Sequence, residues 1–100
     1  MSNNNAYSGP FIKGYIHADI SVGTSAAQVL ATAPAGTRRV ALVIQNTSTT
    51  ATVQAILADT GALGIRIAPL GSITQENYNG TVRLISSEAA TLVHLAYANS

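Results

Sequence analysis

Residues 38–46 (RRVALVIQN) contain a continuous apolar run that is rich in β-branched side chains. A run of this length and composition is typical of a central strand that is covered on both faces. Turn residues precede it at 34–37 (PAGT), and the polar segment 47–50 follows it. We therefore predict a strand over residues 38–46 and place Leu42 and Ile44 in the core.

A second stretch, residues 15–22 (YIHADISV), alternates strictly between polar and apolar side chains. Such alternation indicates a half-buried strand, with Ile16 and Ile20 on the apolar face and His17 and Asp19 on the polar face. Similar short runs between turn residues predict further strands at 28–31, 52–57, 64–68, 72–76, 81–86 and 91–98.

About eight short strands, turn residues every 8–12 positions and no helical pattern predict an all-β domain. We expect a small antiparallel β-sandwich or jelly-roll-like barrel over residues 15–100, preceded by a flexible N-terminal arm at residues 1–14. Two hairpins are predicted: residues 52–57 pair with the strand at 38–46, and Asn79-Gly80 closes another. The predicted core consists of Ile16, Ile20, Leu42, Ile44, Val53, Ile65, Ile67, Val82, Leu84, Val93 and Leu95.

Only 9% of the residues are charged, and the formal net charge is +1. Because a typical soluble domain is about 25% charged, copies of this chain repel one another weakly. We interpret the chain as a subunit that packs against other protein; a secreted or adhesive domain with a Thr/Ser-rich face is the alternative. The small net charge argues against binding to nucleic acid or to a membrane surface.

The chain contains no cysteine, which excludes disulfides and thiol chemistry and removes the usual ligands of structural zinc. No cofactor is predicted. The N-terminal segment has neither a basic start nor an apolar run, so no secretory signal is expected, and no apolar stretch approaches the roughly 18 residues of a membrane span.

Few residues are candidates for catalysis. His17 and Asp19 project to the same side of their predicted strand and can form a His–Asp pair, but no serine in a Gly-x-Ser-x-Gly turn accompanies them. We therefore predict that the chain is not an enzyme. His94, beside Leu92 and Ala96, is predicted to be half-buried, and an assembly axis at this position would gather several copies of it.

Four charged residues are candidates for an oligomer interface, as is His94. Arg38 and Arg39 stand beside a turn, where they either bind a partner carboxylate or phosphate or form a solvated entry to the strand. Arg66 and Glu76 occupy outward positions in short strands, and we predict a cross-strand or intersubunit ion pair between them.

Aromatic and aliphatic residues suggest two further contacts. Tyr7, Phe11 and Ile12 punctuate the polar arm and are predicted to dock on a partner, with an ordinary frayed terminus as the alternative. Tyr78 and Tyr97 are candidates for stacking on sugar rings or on another subunit.

Three segments resemble, in their order and spacing, a known group of proteins. They are residues 39–48 (RVALVIQNTS), 64–72 (GIRIAPLGS) and 78–86 (YNGTVRLIS). Small tailed-bacteriophage virion proteins share a similar layout, R-x-x-L-x-I-Q-N-x-S … G-I-x-I-x-P-x-G-S … Y-x-G-x-V-x-x-I-S, and the resemblance spans roughly residues 25–98. The turn before the serine is often Pro-Gly-Gly in that layout, so Leu70 puts an exposed apolar residue on a loop here.

This resemblance implies a virion location, assembly as an oligomer and no catalytic residues. Members resemble head decoration, head-fibre or other virion-surface proteins. We therefore expect a non-enzymatic capsid decoration (cement) or head-fibre protein, with a homotrimer favoured and the major capsid protein or another virion protein as its partner. The alternatives are a carbohydrate-binding or host-adhesion module on the virion and a tail or neck ring component.

Overall fold

Eight strands and no helix make up residues 14–100, the part of the chain that the computed structural model describes. The strands are β1 (Ile16–Val22), β2 (Ala27–Leu30), β3 (Arg39–Asn46), β4 (Val53–Ile56), β5 (Ile65–Ile67), β6 (Ser72–Glu76), β7 (Val82–Ser86) and β8 (Thr91–Asn99). The predicted all-β sandwich is confirmed. Each strand lies within one residue of its predicted bounds.

Two four-stranded antiparallel sheets face each other. The first sheet has the order β1-β8-β3-β6 and the second sheet has the order β2-β7-β4-β5. Six of the seven connections pass from one sheet to the other, and the connection from β4 to β5 stays within a sheet. Eight strands connected in this way form a jelly roll.

Both predicted hairpins are wrong. Strand β3 pairs with β6 and β8, and β4 pairs with β5 and β7, so the strand at 52–57 does not pair with that at 38–46. Asn79-Gly80 lies between β6 of the first sheet and β7 of the second. A turn sequence fixes only a local change of direction, whereas pairing partners are set by packing of the whole domain.

The core lies between the two sheets and follows the predicted alternation. Ile20 is half-buried, whereas Ile16 and Ile65 are exposed, which corrects their assignment to the core. Each of these two residues opens a strand at the edge of its sheet, where side chains have neighbours on one side only. The other predicted core residues are buried: Leu42, Ile44, Val53, Ile67, Val82, Leu84, Val93 and Leu95.

The ends and edges of the sandwich are defined by its loops. The end that we call the terminal end carries the start of β1, the end of β8 and the connections 31–38, 57–64 and 77–81; the opposite end, the loop end, carries 23–26, 47–52, 68–71 and 87–90. Because residues 68–71 alone connect β5 to β6, these two strands face each other across one edge of the sandwich, the β5–β6 edge.

Candidate functional site

Two histidines and an aspartate form a hydrogen-bonded cluster on the outer face of the first sheet. His94 of β8 lies opposite Asp19 of β1, and its Nδ1 is 2.8 Å from Asp19 Oδ1. On its other side, His94 Nε2 is 2.9 Å from His17 Nδ1. The sequence allowed a direct pair of His17 and Asp19; in the structure His94 bridges them, because it reaches across from the neighbouring strand.

The acceptor at one end fixes the direction of these hydrogen bonds. A carboxylate only accepts, so His94 Nδ1 donates to Asp19, and the Nε2 atom of a neutral His94 then accepts from Nδ1 of His17. Within residues 14–100 the hydrogen bonds of this cluster include no Ser or Thr hydroxyl that imidazole would activate as a nucleophile. The cluster therefore links β1 to β8, and its geometry supplies no acyl-transfer chemistry.

Arg39 is buried and joins three segments at the terminal end. Its side chain is 2% exposed, and Nη2 donates to the carbonyl oxygen of Ala31 over 2.6 Å. Nη1 donates to the carbonyl oxygens of Gly80, over 2.8 Å, and Tyr78, over 3.3 Å. The guanidinium also lies over the Tyr97 ring, 5.7 Å from its centroid. We call these residues the Arg39 cluster.

The burial of Arg39 corrects its assignment to an oligomer interface. A one-residue bulge causes it: β3 advances from Arg39 to Ala41 while β8 moves by a single position, so the side chain of Arg39 turns to the inner side of the sheet. Burial lowers the pKa of Arg39 because the charged form loses water. Its neighbour Arg38 is exposed and available to a partner.

Asn46 joins chain segments at the loop end, as Arg39 does at the terminal end. The residue is fully buried, and its Nδ2 donates to the carbonyl oxygens of Ala51, over 2.8 Å, and of Ile67 and Ala68, each over 3.2 Å. Its Oδ1 accepts from the main-chain N–H of Ser48 over 3.0 Å. We call these residues the Asn46 cluster. From the sequence, Asn46 was considered only as part of a motif. The signal that could have identified its role was an Asn at the very end of a buried strand.

The Arg39 and Asn46 clusters include several residues of the three motif segments, residues 39–48, 64–72 and 78–86. Asn46 and Ser48 hold residues 68–71, because Asn46 N–H donates to Gly71 O over 2.9 Å and Leu70 N–H donates to Ser48 O over 3.0 Å. Arg39 holds the Tyr78-Asn79-Gly80 segment. Arg39, Asn46 and Ser48 thus connect loops to sheets, whereas other residues of these segments, among them Leu42, Ile44 and Val82, belong to the core.

Tyr78 and Tyr97 do not stand free for stacking on a sugar ring. Both are half-buried and pack against the core. The Tyr78 hydroxyl donates to the carbonyl oxygen of Thr81 over 2.6 Å, and burial, with a smaller contribution from the charge of Asp59, raises the pKa of Tyr78. These contacts argue against the predicted use of either ring as an exposed stacking platform.

Arg66 and Glu76 lie on opposite outer faces of the molecule. Arg66 of β5 pairs with Gln54, and both alternate with inward-facing residues of the second sheet, so they face outward. Glu76 of β6 pairs with Ala41 on the outer face of the first sheet. Both side chains are exposed. The predicted cross-strand ion pair is therefore wrong, because β5 and β6 belong to different sheets; the intersubunit pair stays a prediction.

Large apolar side chains are exposed along the β5–β6 edge. Leu63 is 94% exposed, Leu70 is 65% exposed and Ile65 is 43% exposed. Leu70 also has a φ of 61°, in the left-handed region that glycine tolerates best. We call Leu63, Ile65 and Leu70 the apolar edge patch. Leu63 lies at the terminal end of this edge and Leu70 at the loop end, so exposed apolar side chains are spread along its length. Single exposed leucines are ordinary, but several along one edge favour an interaction surface.

The described residues give no sign of a metal centre or of a membrane anchor. Among residues 14–100, no three His, Cys, Asp or Glu side chains converge in a way that would hold a metal ion. No helix in this range is long and apolar enough to cross a membrane. The predicted arm residues Tyr7, Phe11 and Ile12 lie outside the described residues.

No protein-family model matches this chain, and no curated protein is significantly similar to it.

Proposed function

We propose that this chain is a non-enzymatic structural protein of a bacteriophage particle, which works as a homo-oligomer on the virion surface. The observation that carries the proposal is the apolar edge patch, Leu63, Ile65 and Leu70, on a domain in which only 9% of residues are charged. Apolar side chains collected at one edge favour burial against protein, and a sparsely charged surface lowers the repulsion between copies.

A non-enzymatic role is supported by the arrangement of the polar residues. The three polar clusters described above are used internally: Arg39 and Asn46 bind main-chain oxygens, and His94 joins β1 to β8. An active site needs convergent groups at a position that a substrate can reach. The side chains of Arg39 and Asn46 are buried and stabilise loops, and the hydrogen bonds of the exposed His94 cluster run between side chains of β1 and β8.

The virion location rests on the resemblance to small phage proteins. Several residues of its layout, such as Arg39, Asn46 and Ser48, make loop-anchoring contacts in this chain. A capsid decoration or head-fibre role with three copies, binding the major capsid protein or another virion protein, is the version of this function that we favour. Tyr7, Phe11 and Ile12 are the candidate residues for attachment to the particle.

Two measurements test the proposal. Native mass spectrometry of the full chain at micromolar concentration should give an oligomer, with three copies expected, and immunogold electron microscopy with an antibody against the chain should label phage particles. A variant that lacks residues 1–12 should keep the domain folded and lose attachment to the particle. A monomer at every concentration, together with unlabelled particles, would refute the proposal. Strong binding on a glycan array would favour the adhesion module instead.

A further inference from the structure

Arg66 of β5 and Glu76 of β6 carry opposite charges and face opposite sides of the molecule. Val53 and Ile67 form a core pair of the second sheet, so the neighbouring position Arg66 faces outward from that sheet. Ile44 and Ile73 are paired on the inner face of the first sheet, so Glu76, three positions after Ile73, faces outward from that sheet. A single copy therefore presents a cation on one face of this edge and an anion on the other.

The apolar edge patch accompanies these two charges along the β5–β6 edge. Leu63 precedes β5, Ile65 opens it, and Leu70 lies in the connection from β5 to β6. Leu70 is exposed at a φ of 61°, where an L side chain is strained. Glycine or asparagine would relieve this strain. The chain instead has a strained leucine here, and its side chain extends into solvent.

Rotational symmetry turns this arrangement into a self-complementary contact. When copies are arranged around an axis that runs along the β5–β6 edge, the first-sheet face of each copy approaches the second-sheet face of the next. That rotation brings Glu76 towards Arg66 of the neighbouring copy, and it brings the apolar edge patches of all copies together at the axis. A shallow groove of about 310 Å³ beside Arg66, lined also by Thr52, Gln54 and Ile85, provides a recess for the approaching strand.

We propose that a second copy of this chain covers the β5–β6 edge, with Glu76 of each copy paired to Arg66 of the next around the apolar edge patch. This inference rests on the proposed oligomeric function and specifies its contact surface. Burial of the leucines and isoleucine supplies the affinity, and the charge pair sets the orientation.

Charge reversal in the full-length chain tests the contact. E76R and R66E should each raise the dissociation constant of self-association about 10- to 100-fold in sedimentation velocity, because each places like charges together. The double variant R66E/E76R should regain wild-type association, since the introduced arginine of each copy then faces the introduced glutamate of the next in a ring of any size. The matched control is E88R, which makes the same charge change at an exposed position in the connection from β7 to β8, away from the β5–β6 edge.

Folding of every variant is checked by its thermal transition, and E76Q and R66Q replace any reversal that does not fold; each should weaken association less than the corresponding reversal. If the wild type assembles but neither reversal weakens it, this interface is wrong while the proposed oligomeric function stands. If both reversals weaken assembly but the double variant R66E/E76R does not restore it, the pairing of Arg66 with Glu76 is wrong. A wild type that is monomeric at every concentration overturns both the interface and the oligomeric function.

Discussion

The main-chain N–H of Arg39 donates to Oδ1 of Asn79 over 2.8 Å, across 40 positions of the sequence. The same arginine donates its guanidinium hydrogens to the carbonyl oxygens on both sides of Asn79, those of Tyr78 and Gly80. Arg39 thus makes three of the hydrogen bonds that hold the connection from β6 to β7, and Ala33 N–H to Asn79 O and Asn77 N–H to Val40 O add two more. No described residue accepts from the buried Nε of Arg39, so this contact carries a cost as well as a gain.

Arg39→Ala should destabilise the domain by about 2–4 kcal/mol, because it removes three charge-assisted hydrogen bonds and leaves buried carbonyl oxygens without donors. Arg39→Lys should recover only part of the loss, since an ammonium group cannot reproduce the planar geometry. Urea unfolding monitored by tyrosine fluorescence measures the effect. The exposed neighbour provides the control: Arg38→Ala should change the unfolding free energy by less than about 0.5 kcal/mol, and an equal loss in both variants would contradict this account.

Asn46→Ala should lower the free energy of unfolding by about 2–4 kcal/mol, because the carbonyl oxygens of Ala51, Ile67 and Ala68 lose their shared donor. Asn46→Asp should be worse at neutral pH, since it aims a carboxylate at those oxygens. Protonation of that carboxyl restores a donor, so the stability of Asn46→Asp relative to wild type should improve as the pH falls from 7 to 4. Thermal melts of both proteins across this pH range test the prediction. A stability difference between Asn46→Asp and wild type that does not change with pH would disprove the proposed role of the Asn46 amide as a donor.

Leu70→Gly should raise the free energy of unfolding by about 1 kcal/mol, because glycine adopts the left-handed conformation without a Cβ penalty. Leu70→Ala keeps the penalty and should leave stability within about 0.5 kcal/mol of wild type. Both comparisons are made in the E76R background, where assembly does not contribute to the transition. In the otherwise wild-type chain, Leu70→Gly should weaken self-association even though it stabilises the fold, and a gain in both properties would argue against a role for this side chain in assembly.

Alkaline pH should destabilise the domain through Tyr78. Burial raises its folded-state pKa above the value of about 10 that an unfolded tyrosine has. The neutral form is therefore favoured in the fold, and this contribution is complete below pH 10 and is lost as the pH rises through the folded-state pKa. Melting temperatures between pH 8 and 11 should fall less steeply for Tyr78→Phe than for wild type. Parallel curves for the two proteins would rule out this tyrosine as the cause.

The positions of the strands could be predicted because alternation and turn residues are local signals. Residues 72–76, for example, are bounded by Gly71 and Asn77 and were placed without error. The partners of each strand could not be predicted, because β8 inserts between β1 and β3 by packing that no local pattern encodes. The bulge beside Arg39 had the largest effect, since one extra residue reversed the side of the sheet on which a predicted interface residue lies.

The candidate sites were predictable only as residue types. His17, Asp19 and His94 were all considered from the sequence, but their joint cluster depends on the register of β1 against β8. The apolar edge patch was missed except for Leu70, because Ile65 has the pattern of a core residue. The exposure of Ile65 follows from the position of β5 at the edge of the second sheet, which is a property of the completed sandwich.

Strand β8 forms the middle of the first sheet, between β1 and β3, although residues 91–99 are translated after the other seven strands. During synthesis, β1 has no neighbour to pair with until this last segment has left the ribosome. Folding is therefore expected only once residues 91–99 have left the ribosome, and slowly, since contacts between distant segments must close large loops first. A nascent chain that stalls before residue 91 lacks the strand that holds β1 against β3 and is expected to remain a substrate for chaperones and proteases.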